Sequence, residues 1–177
     1  YIVKVKQALS EEYTLDGMRL VVDGANGAGY KVAPLAFSEL GAEVIAIGNT
    51  PNGININQNV GALHPESCAE NVVKFRADFG ICLDGDGDRL TIVDASGHVV
   101  DGDQLIGVLA NFLIKTKQLG PKNEVVGTVM SNFGLEKYVE SIGGKFSRTN
   151  VGDRYITEHM RNSVSYTHLT LPTKRIV

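Results

Sequence analysis

The sequence predicts an α/β protein: a mixed, mainly parallel sheet flanked by helices, followed by a second, incomplete α/β unit. Short apolar runs of strand length at 19–23, 43–47 and 79–83 alternate with stretches of helical period. Glycine-rich punctuation separates the two kinds of segment, as at 24–29 and at Gly41. The same order restarts after residue 123, where 124–129 and 145–149 read as strands on either side of a helical stretch.

Taken in order, residues 1–14 carry Ile2, Val5 and Leu9 at helical spacing, which reads as a helix or linker belonging to a preceding domain. The strand at 19–23 runs into a glycine turn at 24–29 and then a helix presenting Val32, Leu35, Ala36 and Leu40 on one face. The glycine spacing is G-x-x-G-x-G rather than the dinucleotide fingerprint, and no acidic residue closes the next strand at the expected distance. Tight strand-to-helix packing therefore explains the turn better than a phosphate cradle. Gly41 ends the helix before the strand at 43–47.

Residues 49–65 are polar and rich in Asn and Gly, and a loop of this length is usually functional or disordered. His64, just ahead of Pro65 at a helix start, reads as a loop or capping residue rather than a catalytic base. A helix over 66–77 with Ala69, Val72 and Val73 inward leads to the strand at 79–83, and 90–94 with 98–100 forms a hairpin after it. Asp101 and Asp103 read as caps of a helix whose apolar face is Leu105, Leu109, Phe112 and Leu113, in preference to a second metal pair.

Residues 118–123 suggest a linker, giving a first domain over 15–119 and a second beginning over 123–162. In the latter, Ser131 and Asn132 cap a helix through Leu135, Tyr138, Val139 and Ile142. The pairs Leu40-Gly41 and Ile142-Gly143 close equivalent helices ahead of equivalent strands, a weak internal repeat.

With 177 residues, 43% of them apolar, the chain is long enough for a proper core. A net charge of −3 without any long basic run suggests neither nucleic acid nor an anionic membrane as partner. Cys68 and Cys82 lie in apolar segments and read as buried free thiols of a reducing compartment. No apolar run reaches spanning length and no signal-peptide core is evident, so the cytoplasm is the expected location.

The strand at 79–83 runs directly into Asp84-Gly-Asp86-Gly-Asp88-Arg89. Carboxylates separated only by glycines can curl onto one point, and oxygen-only ligands suit a hard cation such as Mg²⁺. Unpaired, they would repel one another, and Arg89 alone cannot compensate them. An EF-hand loop fails here, because its sixth position is Arg89 rather than Gly and its twelfth is Ala95 rather than Glu. A phosphatase of the haloacid-dehalogenase type, with Asp84 as nucleophile, fits in part, although Asp88 stands where Thr or Val is usual. A non-catalytic sugar-phosphate or cation-binding module is a further alternative.

With Arg89 included, this motif resembles the metal-binding loop of the α-D-phosphohexomutases, and the flanking sequence is most similar to the phosphoglucosamine mutases among them. The resemblance extends to 51–57 and His64-Pro65-Glu66, and to Thr149-Asn-Val-Gly-Asp153-Arg154-Tyr155. It departs at Val60-Gly-Ala-Leu63, where the family has Cys-Gly-Ser-Thr. It implies the second domain of such an enzyme and the start of the third. It also implies Mg²⁺ held by Asp84, Asp86 and Asp88, and Arg89 as a phosphate contact.

The implied reaction interconverts glucosamine 6-phosphate and glucosamine 1-phosphate through a sugar bisphosphate and a phosphoserine carried by a first domain outside these residues. Related mutases acting on mannose or glucose phosphate are the alternative, and a sugar monophosphate and the remaining domains are the implied partners. Arg154, at a helix N-terminus, is either a substrate contact or a solvated neighbour of a capping Asp153. From about Ser163 the helical pattern fails, and 163–177, including His168, resembles a translated sequencing adapter and is set aside as a non-native tail.

Overall fold

The computed structural model describes Val3 and residues 13–120 and 122–162. The 1–14 segment is thus largely outside the described residues, and the 163–177 tail wholly so. The chain divides after Val100 into two compact units, each described by itself.

The first unit is a five-stranded sheet in the order β2-β1-β3-β4-β5. Its strands are β1 (Arg19–Asp23), β2 (Glu43–Ile47), β3 (Phe79–Leu83), β4 (Leu90–Asp94) and β5 (Val99–Val100). β2, β1 and β3 are parallel, and β4 and β5 continue antiparallel. The mixed, mainly parallel sheet is the one the sequence predicts. β1 lies between two parallel neighbours with a helix on each face, which is why Leu20 to Asp23 are all buried and why the strand reads as a continuous apolar run instead of an alternating one.

Helices cover both faces. α1 (Val32–Glu39) sits on the face built from Leu20, Val22 and Ala42, against which Ala33 and Phe37 pack. α2 (Glu66–Phe75) lies on the other, where Cys68 and Val72 join Val21, Ala77, Cys82 and Val93. Each fully buried valine here stabilises the fold by about 1.5 to 3 kcal/mol relative to exposure. Gly80 lets α2 come this close, since a Cβ there would lie 2.5 Å from Cys68 Sγ and 2.8 Å from a Val72 methyl.

Two helix faces differ from expectation. On α1 the inward set is Ala33, Ala36 and Phe37, while Leu35 is exposed. On α2, Cys68 takes the place expected of Val73, which is 55% exposed and lies over the Gly97 turn. In both cases several apolar residues adjoin, so sequence period alone leaves the face free to rotate by one position. α2 also starts without a side-chain cap: Pro65 holds the N-cap position, and the exposed His64 is a loop residue.

The second unit pairs β6 (Glu124–Thr128) with β7 (Lys145–Thr149) in parallel through α4 (Phe133–Ser141), with α3 (Gly102–Lys115) ahead and α5 (Asp153–Asn162) behind. Asp101 caps α3 in a reciprocal pair with Gln104, and Asn132 caps α4, as expected. Asp103 accepts the Asn132 N–H at 2.8 Å, so it ties two helix starts together.

The apolar face of α3 is Ile106, Ala110 and Leu113, packed on Val125, Leu135 and Val139, while Phe112 is exposed. That packing moves the domain boundary. α3 belongs to the second unit, and the division falls at Val100 and Asp101 rather than in the 118–123 stretch. The internal repeat is visible in the caps: Leu40 and Ile142 end α1 and α4, and Gly41 and Gly143 follow at φ 103° and 83°. Among the described residues no helix is long and apolar enough to cross a membrane.

Candidate metal centre

β3 delivers the aspartate loop from the carboxyl end of a strand at the centre of the sheet, where ligands of open α/β sheets collect. Asp84 is 6% exposed, whereas Asp86 and Asp88 face solvent. The loop closes on itself through the Gly87 N–H donated to the Asp84 carbonyl at 3.1 Å and the Arg89 N–H donated to Asp84 Oδ1 at 3.0 Å. Gly87 takes φ +74°, a conformation that costs other residues about 1 to 2 kcal/mol.

The result is convergence. One carboxylate oxygen from each of Asp84, Asp86 and Asp88 lies within 4.8 Å of the others. Arg89 Nε stands 3.7 Å from Asp84 Oδ2 and 3.9 Å from Asp88 Oδ1. One guanidinium beside three carboxylates leaves negative charge uncompensated. Partial desolvation, and then repulsion from Asp84 and Asp86, accordingly hold the Asp88 carboxyl above its usual range despite Arg89. Three oxygen donors able to share a point, with net negative charge, fit a hard divalent cation that keeps part of its water shell.

The glycine turn and the polar loop, which the sequence leaves without a role in this site, both reach it. Asp23 is fully buried at the end of β1 and accepts the N–H groups of Ala25 at 2.9 Å and Gly61 at 2.8 Å, which satisfies a carboxylate that would otherwise be costly to bury. Ala25 and Asn26 follow with positive φ, and the Ala28 N–H is donated to the Gly85 carbonyl at 2.8 Å. The polar loop is pinned by Thr50 N–H to Asn26 Oδ1, by Asn57 N–H to the Ala25 carbonyl and by Ala62 N–H to the Leu83 carbonyl.

Gly61 and Ala62 thus act through their backbone N–H groups. Gly61, at φ +83° and with a Cβ there only 2.6 Å from the Leu83 carbonyl oxygen, is the one position of the stretch where a side chain does not fit, and it is the one that keeps the family's residue. Arg154 is exposed in the first turn of α5, in the second unit, and makes no ion pair among the described residues. The aspartates and Arg89 are brought together in the first unit.

Comparison with known proteins is consistent with this geometry. Residues 1–97 match the family model for the phosphoglucomutase/phosphomannomutase α/β/α domain II, and residues 101–167 match that for domain III. The change between the two coincides with the division between the compact units. The phosphoglucosamine mutase of Nautilia profundicola is 53% identical over 91% of this chain, and that of Bdellovibrio bacteriovorus 54% identical over 91%.

The chain spans 36% and 35% of those relatives' lengths. A crystal structure of a phosphoglucomutase/phosphomannomutase family protein from Burkholderia thailandensis shares the fold, with a TM-score of 0.79 at 23% identity over 93% of this chain and 35% of that one. The dehalogenase-type alternative falls away with these matches. A strand-borne aspartate loop and two successive domain matches together place the chain in the phosphoglucomutase/phosphomannomutase family, the α-D-phosphohexomutases.

Proposed function

We propose that this chain is part of a Mg²⁺-dependent phosphoglucosamine mutase, which interconverts glucosamine 6-phosphate and glucosamine 1-phosphate through a phosphoserine and a sugar bisphosphate. The observation that carries the proposal is the convergence of Asp84, Asp86 and Asp88 beside Arg89 at the end of β3. The curated relatives named phosphoglucosamine mutase, at more than half identity, favour glucosamine phosphate over mannose or glucose phosphate.

In this reading Asp84 is the fixed ligand, because the Arg89 N–H and a buried position hold it in one orientation. Asp86 and Asp88 complete the set from the solvent side. A bound Mg²⁺ polarises a phosphoryl oxygen and takes up charge that develops during transfer. The Arg89 side chain is partly exposed beside the carboxylates, so its planar fork can hold the same phosphate in a way Lys does not reproduce. Arg154 would be a substrate contact, with the first N–H groups of α5 adding to its charge.

The phosphoserine belongs to a domain outside these residues, so the isolated chain binds Mg²⁺ weakly and turns nothing over. The complete enzyme, in the cytoplasm, should prefer glucosamine 6-phosphate over mannose and glucose 6-phosphates in a coupled mutase assay. In it Asp84→Asn should lower kcat by about a hundredfold or more. Turnover by the isolated chain, or an Asp84→Asn enzyme of normal rate, would refute the proposal; a preference for mannose phosphate would move it to the sister activity of the family.

A further inference from the structure

The turn at 24–29 and the aspartate loop are distant in sequence and interlocked in space. A Cβ on Gly27 would lie 2.2 Å from the Gly85 carbonyl oxygen and 2.5 Å from its Cα, backbone atoms that cannot swing aside. Next to that contact the Ala28 N–H is donated to the same Gly85 carbonyl at 2.8 Å. On its other side Gly85 is hemmed by Ile56 and by the Asn57 amide, since a Cβ on Gly85 would lie 2.6 Å from Ile56 and 2.9 Å from Asn57 Nδ2.

Asn57 is in turn anchored on the Ala25 carbonyl, and Ala25 on buried Asp23. Gly85 is therefore gripped between two segments that both hang from the end of β1. It lies between Asp84 and Asp86 in the chain, so its position sets the distance between their carboxylates.

We propose that Gly27 is a positioning residue for the metal loop: by letting the turn lie directly on Gly85, it sets the cation affinity of Asp84, Asp86 and Asp88 without touching the cation. This rests on the assignment of those aspartates as metal ligands. A clamp of this kind acts as the outer shell of a metal site does, fixing ligands in place before the ion arrives.

The test uses the full 177-residue chain, with Mn²⁺ binding followed by electron paramagnetic resonance and amide exchange by NMR. Gly27→Ala should weaken Mn²⁺ binding by about tenfold or more. Gly144→Ala is the control. Its Cβ would also meet close neighbours, a Val139 methyl at 2.7 Å and the Val139 carbonyl at 3.1 Å, but these belong to the second unit and not to the turn or the aspartate loop. It should lower the thermal midpoint as Gly27→Ala does, yet leave Mn²⁺ affinity of the folded protein within about twofold.

In the unsubstituted chain, saturating Mg²⁺ should slow exchange of the Ala28 amide by about threefold or more, because an ion that favours the clamped loop must by linkage disfavour its opening. This arm holds even if Gly27→Ala does not fold. Unchanged Ala28 exchange, or equal Mn²⁺ affinities for Gly27→Ala and the parent, overturns the clamp. If Asp84→Asn/Asp86→Asn also leaves Mn²⁺ affinity unchanged, the metal assignment itself has failed.

Discussion

Glu124 offers the most quantitative test of the packing described for the second unit. It opens β6, is only 1% exposed, and meets Lys145 Nζ at 3.0 Å, the Ser147 hydroxyl at 2.5 Å and His159 Nε2 at 3.3 Å. Burial alone would push its carboxyl up. The Ser147 hydroxyl, the Lys145 ammonium and the His159 ring outweigh that and hold it down at about 2, against an ordinary 4.5.

A folded-state value below the unfolded one stabilises the fold fully above pH 4.5, and that contribution disappears as pH falls towards 2. The gap corresponds to about 3 kcal/mol. Lys145 and His159 are 64% and 36% exposed, so water screens part of it and about 2 kcal/mol remains. Glu124→Gln keeps the shape and removes the charge. Urea unfolding followed at β6 and β7 amides by NMR should show a loss of about 2 kcal/mol at pH 7, narrowing steadily between pH 4.5 and 3. A loss under about 0.5 kcal/mol at pH 7, or one unchanged at pH 3, would falsify the account of this cluster.

Other outcomes follow from single contacts. Val72→Ala should cost about 2 kcal/mol in urea unfolding of the first unit and Val73→Ala less than about 0.5, although the two are adjacent, because only Val72 is buried. Equal losses would contradict the helix face described. Gly87→Ala meets open space but a φ of +74°, so it should destabilise the aspartate loop by about 1 kcal/mol through strain alone, and Gly87→Asn by less. Cys82, pushed up by the Cys68 thiol beside it and by burial, should resist a thiol-specific disulfide reagent at pH 8 in the folded chain and react after urea is added, as should Cys68. Rapid labelling without denaturant would mean that the core around α2 opens readily.

Much of this was legible in the sequence where the signal is local. β1 and β3 announce themselves as short apolar runs, Asp101 and Asn132 as caps, and the aspartate triplet as a strand-end motif, because each depends on neighbours within a few residues. The choice between adjacent apolar residues, as with Val72 and Val73, depends on what the helix meets, which lies elsewhere in the chain.

The assignment of α3 was hidden for the same reason. Its partners Val125, Leu135 and Val139 follow the polar 118–123 stretch that looks like a linker. Asp23 and Gly27 escaped notice as parts of the site because a buried carboxylate at a strand end and a glycine in a turn have ordinary local explanations. Only their contacts with Gly61 and Gly85 distinguish them.

The central claim is that Asp84, Asp86 and Asp88 hold one divalent cation, and paramagnetic broadening tests it most directly. Mn²⁺ added below one equivalent to the ¹⁵N-labelled chain should bleach the amides of residues 84–89 first, and Mg²⁺ in excess should restore them. Broadening spread evenly over exposed carboxylates such as Glu39 and Glu43, with the 84–89 amides no more affected than the rest, would contradict it.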